Sequence, residues 1–211
     1  MTLTPNPRIN MASHNMVAAA WFSRRVGEIE GQHAGHPHGD WWLEILHNSS
    51  ACILSLVASL EAYANELFVD REKTFLSYSP ALLGTIWDGL ERKSTFQKLD
   101  FALLLLNKPL LDTGRRPGQD VKMIIELRNA LVHFKPKGDD EDNWHRNLSR
   151  TLNSRFQPSP FLTDTLLLPR RWATHGCTKW AVEQSLQFAD EFRTSAGLPA
   201  KYDLKDQRYT A

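Results

Sequence analysis

At 211 residues and 42% hydrophobic composition, the chain can bury a substantial core and does not require a second domain. A formal net charge of +1 and a pI near 7.9 exclude a global basic field, so any site for a polyanion must be local. Cys52 and Cys177 are spaced too widely for a zinc site or a disulfide framework, which points to a reducing interior. The N-terminus lacks a secretory pattern, and apolar runs such as Phe101 to Leu106 are short. A cytoplasmic protein without a membrane partner is therefore expected.

Helical periodicity dominates, and no run alternates as a strand would, so the expected fold class is all-α. A first helix is predicted over about Met11 to Glu30, followed by a loop over Gly31 to Asp40, with Asp40 as N-cap of the next. Residues 1–39 are thus read as an N-terminal helix and loop, 40–197 as a helical bundle and 198–211 as a polar, loose tail. The bundle's spine is a long helix from Trp41 to Phe75, with Leu46, Ile53, Val57, Leu60, Ala64 and Leu67 at three- and four-residue spacings. Ser77 to Gly89, interrupted by Pro80, Gly84 and Gly89, reads as a connection holding at most a short helical turn.

Leu90 to Asn107 carries Phe96, Leu99, Leu103 and Leu106 on one face. Another helix is predicted over Gln119 to Phe134, closed by Pro136. Gly138 to Asp142 is an acidic loop, and Asn143 to Phe156 a helix with a basic face from Arg146, Arg150 and Arg155. Gln157 to Arg171, rich in proline, is an irregular excursion before a last helix over Ala173 to Ser195.

The most informative stretch is Leu127-Arg128-Asn129-Ala130-Leu131-Val132-His133. At 100° per residue, Val121, Ile124, Ile125, Leu131 and Val132 would form one apolar face with Arg128 at its centre, while Asn129 and His133 share a shoulder. A buried guanidinium needs a partner, and Glu61, between Val57 and Ala64 on the inward side of the long helix, is the carboxylate nominated.

An arginine followed by a polar residue and, five positions on, a histidine resembles the signature of the HEPN superfamily. Ser59-Leu60-Glu61-Ala62-Tyr63-Ala64-Asn65-Glu66-Leu67 looks like its early long helix, and Lys179-Trp180-Ala181-Val182 like the start of its last one. The resemblance covers roughly residues 40 to 197 and implies a HEPN-type bundle that works as a homodimer with a composite site. It also implies a metal-independent endoribonuclease, the toxic or defensive part of a microbial system, with RNA and a cognate antitoxin protein as partners. No cofactor is expected. In such chemistry the ribose 2′-hydroxyl attacks its own phosphodiester, His133 moves protons, Arg128 holds the charge growing on the phosphate and Asn129 assists.

Arg115, Arg116, Lys122, Lys135 and Lys137 flank this helix and could rim a phosphate-binding surface, though solvated charge is their usual role. The alternative is a non-catalytic HEPN-like module that binds a protein or nucleotide and uses Arg128 to hold the bundle or dimer together. Arg170 and His175 repeat the spacing without an apolar helical stripe and are read as a chance copy. The loop histidines His33, His36 and His38 lack a completing ligand set, so no metal site is assigned. Trp41, Trp42, Trp87 and Trp180 are expected to pack rather than stack on bases.

Overall fold

The computed structural model describes residues 9–134, 143–163, 166–199 and 206–211. All regular elements among them are helical: α1 (Met11–Gln32), α2 (Trp41–Val69), α3 (Arg71–Thr74), α4 (Pro80–Leu90), α5 (Thr95–Leu105), α6 (Gly118–Val132), α7 (Asn143–Leu152) and α8 (His175–Ala196). A single wide turn, Leu167–Arg171, and a short 3-10 turn, Gln207–Tyr209, complete them.

Helix α2 is the spine because its three- and four-residue apolar spacing runs its whole length, burying Ile45, Ile53, Leu56, Leu60, Ala64 and Phe68. Helix α1 lies along it, α8 packs on both, and α6 packs on α2 and α8. Two apolar clusters result. One joins α1, the first part of α2, α6, α7 and the start of α8; Trp172, the bulkiest fully buried side chain, is part of it. The other joins the end of α2 to α4, α5 and the end of α8 through Phe68, Phe75, Leu83, Leu99 and Phe192. Ile125 touches both. Cys52 and Cys177 are both buried and unbridged.

Several expectations need correction. Helix α1 shares the core with the helices that follow, and its Met16, Ala19, Ala20 and Val26 are fully buried. Its first turn is pinned to α2 by the Ala12 N–H donating to Glu66 and by the Ser59 hydroxyl donating to the Ala12 carbonyl. Asp40 does stand at the N-cap position of α2, but with helical backbone angles and no capping hydrogen bond from its side chain. The long helix stops at Val69, and the Asp70 break begins the separate turn α3. The stretch read as a connection is the eleven-residue helix α4. Pro80 stands at its first position, where the missing N–H costs nothing, and the Ser79 hydroxyl accepts from the Leu82 N–H.

The chain's end is docked rather than loose, since Tyr209 is buried in the first cluster and Arg24 donates to the carbonyls of Gln207 and Thr210. Helix α2 also contains an 18-residue window of mean hydropathy 1.4, so by length and composition it could cross a membrane. More than half of that window, 56%, is buried within the chain, as in the core helix of a bundle.

Candidate functional site

Helix α6 begins with Gly118 because a side chain there would meet the Asp112 carbonyl oxygen at 2.7 Å. Its buried face is formed by Asp120, Val121, Met123, Ile124, Leu127 and Ala130. That arc is rotated from the one expected. Ile125 and Leu131 are only partly buried, and Val132 is 51% exposed. Arg128 therefore stands on the shoulder of the apolar face, not at its centre, with 24% of its side chain exposed. Its Nη2 donates to Glu61 Oε1 at 3.3 Å, and Glu61 faces outward, 51% exposed.

Asn129 is half-buried and His133 exposed. His133 is the C-cap of α6, and its backbone N–H donates to the Asn129 carbonyl at 2.9 Å. The helix ends there with Phe134 stacked on His145 of α7, ring centroids 5.3 Å apart. At 100° per residue, Asn129 and His133 lie on one stripe with the exposed Lys122, whereas His133 points about 140° away from Arg128.

Of the basic residues expected to rim this end, Arg115 and Arg116 are held elsewhere. Arg115 pairs with Asp112 at 3.2 Å and Arg116 with Asp120 at 3.2 Å, both at the opposite end of α6, roughly 20 Å along the helix axis. Of the three described residues of that set, Lys122 is the one placed on the motif's outer stripe. Lys135 and Lys137 lie outside the described residues, as does the acidic loop. Arg155 is not on the face of α7 either. It follows that helix and reaches Asp120 with Nε at 3.3 Å and the Gln119 side chain with Nη2 at 3.0 Å.

Asp120 was missed by sequence reasoning. It is fully buried, and the guanidinium groups of Arg116 and Arg155 stand at ion-pair distance from its two oxygens. These are close charge contacts rather than well-directed hydrogen bonds. An acidic residue in the first turn of a helix was the available signal, because the helix dipole favours it there.

Glu30 and His175 form a second unanticipated arrangement. The His175 N–H, in the first turn of α8, donates to Glu30 Oε1 at 2.9 Å. Burial holds the Glu30 carboxyl above the usual carboxylate range, partly offset by that hydrogen bond. Burial and then the Lys179 charge hold the His175 imidazole below its usual range, with Glu183 opposing them. Glu30 lines a cavity of about 550 Å³ with Gly27, Gly31, His36 and Phe161. His175 lies over Gly27, so the histidine of the repeated spacing starts a helix, whereas Arg170 belongs to the preceding wide turn.

The loop histidines serve as aromatic cover. His33 stacks on Trp41 at 4.3 Å and His38 leans on Trp42 at 5.5 Å. Among the described residues no group of three or more His, Cys, Asp or Glu side chains is placed to hold a metal ion. Trp42 and Trp180 are buried, and Trp87 stacks on Phe68. No family model, curated protein or solved structure matches the chain.

Proposed function

We propose that the C-terminal end of α6 is the active site of a metal-independent endoribonuclease of HEPN type. The observation that carries this reading is the placement of Arg128: half-way out of the core, tied to a single outward carboxylate, with the exposed His133 little more than a helical turn further on. A guanidinium that only packs can keep its head in water by laying its stem along the apolar face. One needed for phosphate must do so while keeping its fork oriented.

In the reaction, the ribose 2′-oxygen attacks the adjacent phosphorus as His133 takes its proton. The 5′-oxygen leaves and takes the proton back from the imidazolium, giving a 2′,3′-cyclic phosphate and a 5′-hydroxyl. Arg128 stabilises the doubly charged oxygens at the transition state, and Asn129 and Lys122 orient the strand along the outer stripe of α6. Because Arg128 and His133 of one helix diverge by about 140°, the two groups are brought onto one phosphate by pairing two α6 helices in a homodimer. Val132 and Phe134, 51% and 46% exposed, give that end an apolar border suited to such a seam. A toxic or defensive role, with a protein antitoxin as partner, follows from the same reading.

The Glu61 contact favours a second reading. A guanidinium already engaged by a carboxylate can be a structural tie, making the chain a HEPN-like module that binds a protein or nucleotide without cleaving.

The test is incubation of the purified chain with mixed RNA in excess chelator. Wild type should leave 2′,3′-cyclic phosphate ends and spare DNA, while His133→Ala and Arg128→Ala should each lose ~100-fold or more in rate and keep their fold. A folded wild type that cuts no RNA as a dimer, or one that sediments as a 24.1 kDa monomer, would make the binding module the better account.

A further inference from the structure

Helix α1 runs for 22 residues to Gln32 and has no basic residue in its last turn. The His33 N–H closes on the Ile29 carbonyl, and no hydrogen bond among the described residues reaches the carbonyls of Glu30, Gly31 or Gln32. Open carbonyls and aligned peptide dipoles make this end of the helix negative, a charge that a cation placed there offsets. The cap residue His33 does not take that part, since its ring lies flat on Trp41. The same end of α1 opens onto the cavity of about 550 Å³ that Glu30 lines.

The Glu30 carboxylate adds a full charge to that pole. Its Oε1 accepts from the His175 N–H, whereas Oε2 has no hydrogen-bond or ion-pair partner among the described residues. No lysine or arginine lines the cavity. Lys179, whose charge acts on His175, is paired with Glu183 at 4.0 Å. The His175 imidazole, held below its usual range chiefly by burial, supplies no countercharge. Burial raises the Glu30 carboxyl with only a backbone N–H opposing it, so no cation of the chain offsets its charge. A half-buried carboxylate and the negative pole of a helix thus share one cavity without a positive group to join them.

We propose that this cavity binds a primary ammonium carried on an aliphatic chain. The ammonium has three N–H donors, and Glu30 Oε2 and the open carbonyls at the end of α1 are acceptors in want of them. The aliphatic stem lies along Phe161, whose ring is fixed edge-on against Trp41 at 4.7 Å. A side chain added at Gly31 or Gly35 would meet open space, so nothing from the chain fills the room the stem needs. A metal ion is the poorer occupant. It wants about six oxygen ligands, and among the described residues no group of three or more His, Cys, Asp or Glu side chains is placed to hold one. The cavity shares no residue with the end of α6, and the proposal holds whether or not the chain cleaves RNA. Two sources share the chemistry, namely a free alkylamine and the lysine side chain of a protein.

The experiment is an NMR titration of the full chain with n-butylammonium chloride, at an ionic strength fixed with sodium chloride, beside 1-butanol as the uncharged control. Saturable shifts should cluster at the amides of Gly31, Ala34, Gly35 and Phe161, with 1-butanol binding at least roughly tenfold more weakly. Glu30→Gln keeps an oxygen for the His175 N–H and should weaken the ammonium by roughly tenfold with the spectrum otherwise kept. Gly31→Leu places a side chain in the cavity, leaves Glu30 in place, and should weaken binding at least as much. Parallel titrations with 1,4-diaminobutane and a capped Gly-Lys-Gly peptide separate the sources: tighter binding of the diamine assigns a free amine, and tighter binding of the peptide assigns a protein lysine. Shifts that rise linearly, that 1-butanol reproduces at equal concentration, or that persist unchanged in Glu30→Gln or in Gly31→Leu overturn the proposal.

Discussion

Helix α6 carries an arginine–carboxylate contact at each end, and the two differ in almost every physical respect. At its start, Asp120 is fully buried between Arg155, 12% exposed, and Arg116. Toward its end, Arg128 and Glu61 meet at 3.3 Å near solvent. Removing a carboxylate from water is costly, so Asp120 is tolerable only while both cations stay. The Glu61 contact is weakened by water, salt and side-chain entropy, and its arginine is free to exchange one anion for another at small cost. The contrast teaches where to look for function: the buried contact fixes the helix, and the exposed one leaves a guanidinium available.

The strongest challenge to that contrast is Asp120→Ala, which should cost about 3 to 5 kcal/mol in chemical denaturation, because Arg155 would be left buried beside a cavity. A variant as stable as wild type would show that the start of α6 is no better fixed than its end. Gly118→Ala tests the same end through sterics. A methyl group 2.7 Å from a backbone oxygen must move the Asp112 to Gly118 loop, at an expected cost of ~1 to 3 kcal/mol. Glu61→Gln should be the mildest, within about 1 kcal/mol and smaller still in high salt. A loss equal to that of Asp120→Ala would mean that the Arg128 contact is structural, and would favour the binding-module reading.

The sequence made α1, α2, α5, α6 and α8 legible to within a few residues, apart from the end of α2 and the start of α5, because their apolar stripes repeat with helical spacing. Helix α4 was hidden because Pro80, Gly84 and Gly89 resemble breakers, although proline suits a first turn and both glycines face open space. The phase of α6 was misread for a different reason. Treating every apolar residue as inward placed Val132 in the core, whereas the helix is rotated to bury Asp120 against Arg155, a partner far along the chain that no local spacing reveals. The Arg128 and Glu61 contact could be reached from helix faces alone, but the outward orientation of Glu61 depends on where α2 meets α6. Glu30 and His175, from the first and last long helices, came together only through tertiary packing.

The two unbridged thiols give the spine a use beyond packing. Burial pushes Cys52 far up from the ordinary thiol range and Cys177 likewise, with the neighbouring sulfur of Cys52 adding to the second shift. Both therefore stay neutral and chemically quiet while α2 and α8 hold together. An alkylating reagent gains access only when that seam parts, so the pace of labelling is a clock for the opening of the core, read without any probe added to the chain.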